Sequence, residues 1–178
     1  MNAPDAASVE LLRAEVARWR GVGHEIRPHL TFEGGDAHRL AQVAATDGSD
    51  LLIVAGGDGT LNEVANGLHA HLTEEGGTAP RLGIVPLGTG NDLAAGLEVP
   101  MEVPAAMEIA IGGREMAMDV GLVGGRCFLN VSTGGFGAEA TEETGAGAKR
   151  ILGSFAYLIT GVKKFANIEI SEARFGAG

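Results

Sequence analysis

The sequence predicts an α/β fold built on a parallel sheet. Two short apolar runs carry the prediction: residues 50–55 (DLLIVA) and Arg81–Pro86 (RLGIVP). Each is continuous in the way of a strand buried on both faces. Each is followed by a loop rich in glycine, threonine and asparagine, and then by apolar residues at helical spacing. Repetition of strand, loop and helix is the pattern of parallel sheets covered by helices.

The remaining elements follow in order. Val9, Leu12, Val16 and Trp19 recur at helical spacing with Ser8 placed to cap, and Gly21 and Gly23 end that helix. Residues 24–32 read as a strand, and Asp36 is placed to cap a second helix reaching Ala45. After the loop at 56–59, Leu61, Val64, Ala65 and Leu68 share one helical face. Pro104 opens a helix that closes near Gly112 and Gly113. Beyond Arg114 the pattern changes. Residues 116–123 and 126–132 read as two strands around Gly124 and Gly125, a hairpin signal. The chain therefore divides into an α/β domain over residues 1–114 and the beginning of a β-rich second domain over 115–178. The latter holds a helix over 149–164 and a strand over 167–175.

Composition narrows the function. Hydrophobic residues make up 45% and charged residues 20%, enough apolar surface for a packed core. The 29 glycines show no period, which excludes collagen-like and low-complexity readings. The net charge of −10, with basic residues scattered, argues against a nucleic-acid partner. The same charge opposes tight docking to anionic headgroups, so any membrane contact is transient and peripheral. Cys127 is the single cysteine, which fits a reducing cytoplasm. The N-terminus lacks the pattern of a signal peptide, and the apolar stretch at 153–162 is too short to span a bilayer.

The chemistry concentrates in two loops. In the first, Gly56, Gly57, Asp58, Gly59, Thr60, Leu61, Asn62 and Glu63 follow a buried strand and open a helix. Glycines there let backbone N–H groups approach phosphate oxygens, and the helix directs its positive end to the same place. Thr60 and Asn62 can add hydrogen bonds. A carboxylate repels phosphate, so Asp58 suggests a metal ligand, a hydroxyl-orienting group or a proton acceptor. The plain alternative is a tight strand-to-helix turn capped by Asp58 or Thr60. In the second loop, Pro86, Leu87, Gly88, Thr89, Gly90, Asn91 and Asp92 also follow a buried strand. Neighbouring strand ends of a parallel sheet open into one crevice, so the two loops could grip one nucleotide from two sides. Here the plain alternative is Asn91 or Asp92 as a helix cap.

Other phosphate motifs are excluded. The P-loop needs a Gly-Lys-Ser/Thr step, and no lysine precedes Lys149; a dinucleotide fingerprint starting at Gly57 would end on Asn62 rather than glycine. No metal-ligand cluster appears. His69 and His71 diverge on a helix and read as solvent-facing.

Together, GGDGTLNEVANGL and PLGTGNDLA resemble the catalytic domain of the diacylglycerol kinase family, which includes bacterial lipid kinases. Residues 31–37 (TFEGGDA) resemble that family's upstream Thr/Gly-Asp-Ala segment, and 130–137 (NVSTGGFG) the stretch that opens its second domain. NAD kinases and phosphofructokinases share the Gly-Gly-Asp-Gly element but do not usually carry the second loop. The resemblance implies an NAD kinase/diacylglycerol kinase-like nucleotide domain followed by a β-rich domain. It implies ATP contacts at Thr31, at Gly56 through Asn62 and at Thr89, with Gly88 and Asn91 beside it. It also implies Mg²⁺ and transfer of the γ-phosphoryl group to a lipid hydroxyl, at the inner face of the membrane.

The chain departs from the family pattern twice. It starts at the helix after the family's opening strand and its Asn-Pro-x-x-Gly loop, and it carries no later Asp-Gly-Glu motif, the family's proposed catalytic base. Asp58 is thus the candidate catalytic residue, through metal or substrate positioning, and little or no lipid kinase activity is expected of the 178 residues alone. Two alternatives stay open: an ATP-binding module without catalysis, and an NAD kinase-like phosphotransferase with a soluble substrate. Diacylglycerol, phosphatidylglycerol and sphingoid bases all stay open as the acceptor.

Overall fold

The computed structural model describes residues 4–74 and 76–130. The elements in chain order are α1 (Ala6–Gly21), α2 (Asp36–Thr46), β1 (Leu51–Gly56), α3 (Asp58–Glu74), β2 (Arg81–Pro86), α4 (Asp92–Gly96), α5 (Val103–Gly112), β3 (Gly121–Val123) and β4 (Arg126–Phe128). The expected helix over 149–164 and strand over 167–175 lie outside the described residues, as does 131–137.

β1 and β2 pair in parallel, with Leu51 opposite Arg81 and Gly56 opposite Pro86. Successive side chains of a strand point to opposite faces, and the two faces bury different partners. Val54 and Ile84 pack with Ala41, Leu61, Val64 and Leu68 of α2 and α3. Ile53, Ala55 and Val85 pack with Val103, Ala106 and Met107 of α5, joined by Leu12 and Trp19 of α1. Helices thus cover both faces, which is why the strands are continuously apolar. Leu61, Met107 and Val85 are the largest fully buried side chains among the described residues, each worth about 1.5–3 kcal/mol.

Small residues set the spacing of the helical layer. Ala37, Ala41 and Ala45 form the buried stripe of α2, and Gly67 of α3 lies against it. A Cβ on Gly67 would stand 2.3 Å from the His38 carbonyl oxygen and 3.0 Å from the Ala41 methyl, so the two helices meet with backbone against backbone. On the other side of the sheet, Arg18 of α1 bonds both Glu15 and Glu108 of α5 at 2.9 Å.

The structure corrects three local expectations. Asp5, not Ser8, caps α1; its carboxylate accepts the Ser8 N–H at 2.9 Å and the Ser8 hydroxyl at 2.8 Å. Residues 24–30 form no strand, and Leu30 and Phe32 are 77% and 86% exposed. A strand needs a neighbour for its backbone groups; here the Ile26 carbonyl is taken instead by the Arg20 guanidinium. His71 is buried, because the chain after α3 folds Gly77 over its imidazole; a Cβ on Gly77 would stand 2.7 Å from Nε2.

The hairpin is present but shorter than expected. β3 and β4 pair antiparallel around Gly124 and Gly125, both with left-handed φ. It belongs to the compact unit that runs to Asn130 and packs on α3. The Asn66 side chain of α3 accepts the Cys127 N–H and donates to the Cys127 carbonyl, both at 2.9 Å, as a strand neighbour would. A domain boundary near residue 115 stays a proposal drawn from the change in pattern. Among the described residues no helix is long and apolar enough to cross a membrane.

Candidate active site

The first loop lies where β1 turns into α3. Helix α3 begins at Asp58, and Leu61 N–H bonds the Gly57 carbonyl at 3.1 Å. Asp58, Gly59 and Thr60 therefore sit in the first turn, whose N–H groups have no carbonyl one turn earlier to bond. The Thr60 side chain folds back on Gly56, where an added Cβ would meet its Cβ and Oγ1 at 2.9 Å. Gly59 is exposed, and a Cβ there would meet nothing within 4 Å. Asn62 Oδ1 is buried without a hydrogen-bond partner.

The second loop leans directly on the first. Leu87 N–H donates to the Gly56 carbonyl at 3.0 Å, carrying the sheet register past the strand ends. A Cβ on Gly57 would fall 2.9 Å from the Gly88 Cα, and one on Gly88 2.5 Å from the Gly57 Cα. Glycine is thus required at both positions by the contact between the loops themselves. Asn91 has left-handed φ of 56°. Its side chain turns back to Gly88, accepting that N–H at 2.8 Å and donating to that carbonyl at 2.9 Å. It does not cap α4.

The cap of α4 comes from Asp58. Its Oδ2 accepts the Asp92 N–H at 3.1 Å and its Oδ1 the Leu93 N–H at 3.0 Å. Gly90 lies beside this contact, where a Cβ would stand 3.3 Å from Asp58 Oδ2. The acid that looked misplaced in a phosphate loop thus serves the neighbouring loop, a role absent from the sequence reading because its partners lie 34 and 35 residues away.

Glu63 does the same on the opposite side. Its Oε2 accepts the Gly35 N–H at 3.0 Å, tying the turn after Thr31 to α3. Within that turn the Asp36 carboxylate accepts the Phe32 and Glu33 N–H groups at 2.7 and 2.9 Å and pairs with Arg39. Those bonds, led by the two backbone amides, hold the Asp36 carboxyl below the ordinary aspartate range. Asp36 was expected to cap α2; Gly35 occupies the cap position, and Asp36 ties down the chain before it. So α3 joins three segments: the 31–36 turn through Glu63, its own glycine loop, and the 87–92 loop through Asp58. Thr89 is exposed and Thr31 half-buried. A cavity of about 460 Å³ opens next to this site between the starts of α1 and α5, but of the expected contact residues it touches only Gly88.

The described residues suit an anion better than a metal cage. They offer the first-turn N–H groups of α3, which point out of the helix start, and a surface free of side chains at Gly59. No group of three metal-binding side chains occurs among them. Asp58 and Asp92 both flank Gly90, and Asp58 is already engaged with backbone amides. One or two carboxylates beside phosphate oxygens are what Mg²⁺ uses with a nucleotide, and Asp92 would fit that use.

The fold and site define an α/β domain with paired glycine loops at the carboxyl ends of adjacent parallel strands, where ligands of such sheets bind. The chain belongs to the diacylglycerol kinase catalytic domain family, which matches residues 4–123. It is 40% identical over 171 residues to a Pseudomonas aeruginosa (strain UCBPP-PA14) protein named "Probable lipid kinase YegS-like", covering 96% of this chain and 55% of that protein. A protein of the same name from Cronobacter sakazakii is 43% identical over 160 residues, covering 89% and 52%. A solved, provisionally assigned diacylglycerol kinase from Bacillus anthracis str. Sterne matches with a TM-score of 0.66 at 30% identity, over 90% of this chain and 52% of its own. The chain spans about half the length of the curated relatives it matches.

Proposed function

We propose that this chain forms the nucleotide-binding part of a lipid kinase that transfers the γ-phosphoryl group of ATP to a lipid hydroxyl. The observation that carries the reading is the pair of glycine loops in backbone contact at Gly57 and Gly88, with the first turn of α3 open beside them. The names of the relatives support the lipid as acceptor. In this reading the N–H groups of the 57–60 loop hold phosphate oxygens, while Thr31, Asn62, Gly88, Thr89 and Asn91 line the nucleotide. Asp92 would be the residue to hold Mg²⁺ beside the phosphates, and the ion would supply neutralising charge there. The lipid is met by transient contact at the inner face of the membrane.

What these residues contribute is position. Phosphoryl transfer gains mainly from holding donor and acceptor in line and from stabilising charge on the phosphate oxygens. Backbone amides fixed in a helix turn supply that without reorganising. Titration calorimetry with ATP tests the first half of the reading: the chain should bind ATP, and Gly57→Val should abolish the heat. Transfer of labelled phosphate from ATP into extracted mixed lipids, using a protein of the relatives' length that contains this chain, tests the second. ATP binding without any transfer to lipid would favour the binding-module alternative.

A further inference from the structure

We propose that Asp58 is a positioning residue, which latches the 87–92 loop onto the glycine loop and acts on the nucleotide through that loop rather than by holding metal or taking a proton. The proposal rests on the nucleotide reading above.

Three observations carry it. Both oxygens of the Asp58 carboxylate are directed at backbone N–H groups of the second loop, those of Asp92 and Leu93. The residue with the local chance to cap α4, Asn91, spends both ends of its carboxamide on Gly88. Without Asp58 the start of α4 would thus lose its cap, and with it two of the bonds that tie the loop to the glycine loop beside the Leu87 bond and the Gly57–Gly88 contact. Finally, the absence of a side chain at Gly90 leaves the space that Asp58 Oδ2 occupies, since even one Cβ would stand 3.3 Å from it. An acceptor with a negative charge makes stronger bonds to N–H than a neutral one, which explains an acid at a site otherwise suited to anions.

The test separates the latch from the nucleotide reading. Amide hydrogen exchange on the nucleotide-free chain, compared between wild type, Asp58→Asn and Asp58→Ala, reads the latch alone. Exchange at Asp92 and Leu93 should speed up on the order of tenfold to hundredfold in Asp58→Ala, as expected for loss of bonds to a charged acceptor. Asp58→Asn keeps one acceptor oxygen and should release one of the two amides, which also guards against a variant that fails to fold. Titration of ATP with Mg²⁺, and again with chelator, reads the consequence: Asp58→Ala should weaken both titrations by the same factor, with Asp58→Asn between. A loss confined to the Mg²⁺ titration would make Asp58 a metal ligand and overturn the proposal. Unchanged exchange at Asp92 and Leu93 would also overturn it. If wild type binds no ATP while both amides depend on Asp58, the latch stands and the nucleotide reading falls.

Discussion

The carboxamide of Asn66 holds Cys127 by both backbone groups, with its oxygen on the Cys127 N–H and its nitrogen on the Cys127 carbonyl, each at 2.9 Å. One side chain of α3 thus takes the place of a strand beside β4, and the Cys127 side chain is buried beneath it. Burial raises the Cys127 thiol pKa. Asn66→Ala should therefore cost about 1–3 kcal/mol, since it leaves two backbone groups of a half-buried hairpin unpaired. It should also speed Cys127 labelling by a thiol reagent at neutral pH at least about tenfold, because the free hairpin presents its thiol to solvent. Denaturant unfolding and labelling kinetics measure the two effects. Equal labelling rates in wild type and variant would mean the clasp does not hold the hairpin.

The glycines of the two loops should separate by substitution. Gly88→Ala places a methyl 2.5 Å from the Gly57 Cα and 2.7 Å from Asn91 Oδ1, so it should destabilise by about 1–3 kcal/mol. Gly59→Ala meets nothing and lies within a helix, so it should leave stability unchanged or raise it by up to about 1 kcal/mol. It should nevertheless weaken ATP binding, because the new methyl covers the first-turn amides. Thermal unfolding paired with calorimetry decides, and a Gly59→Ala protein with full ATP affinity would remove those amides from the site.

Glu63→Ala should free the turn after Thr31. The Gly35 amide loses its Glu63 acceptor, so its exchange should accelerate about tenfold or more. Glu63→Gln retains an oxygen at the same reach and should keep most of the protection. If Thr31 lines the nucleotide, ATP affinity should fall in the same order, wild type above Glu63→Gln above Glu63→Ala. Protection of Gly35 that survives Glu63→Ala would show that the turn is held from elsewhere.

The same turn should respond to acid. The backbone amides of Glu33 and Phe32, with Arg39, lower the folded pKa of Asp36. A lowered folded pKa means a stabilising contribution that is complete above the unfolded value of about 3.9 and is lost as pH falls through the folded value. The Phe32 and Glu33 amide signals should move together with the Asp36 carboxyl in an NMR titration below pH of about 4, and Asp36→Asn should abolish that step. An Asp36 that titrates in the ordinary range would contradict the bonding described.

Much of this architecture can be read without coordinates, because the apolar runs at β1 and β2 reflect a local cause, burial on both faces. The glycine loops were legible for the same reason: they punctuate strands and helices in plain succession. What could not be read depends on distant partners. Residues 24–32 have an extended pattern, but a strand exists only beside another strand. His71 looked outward by helical spacing, and Gly77, six residues later, covers it. Asp58, Glu63 and Asn66 sit inside or beside the recognised motif, yet their work is done on Asp92, Gly35 and Cys127, and spacing along the chain carries no signal of such pairings.

The bare crossing of α2 and α3 at Gly67 also makes the site sensitive from behind. Gly67 lies eight residues, roughly 12 Å of helix rise, from Gly59. A helix of that length moves as a stiff rod, with the crossing as its fulcrum. Any bulk inserted at the fulcrum would tilt the far end, and with it the amides, the latch to α4 and the tie to the 31–36 turn at once. The alignment of the candidate site is thus set partly by the lack of a single methyl group two turns below it, at a position no ligand would touch.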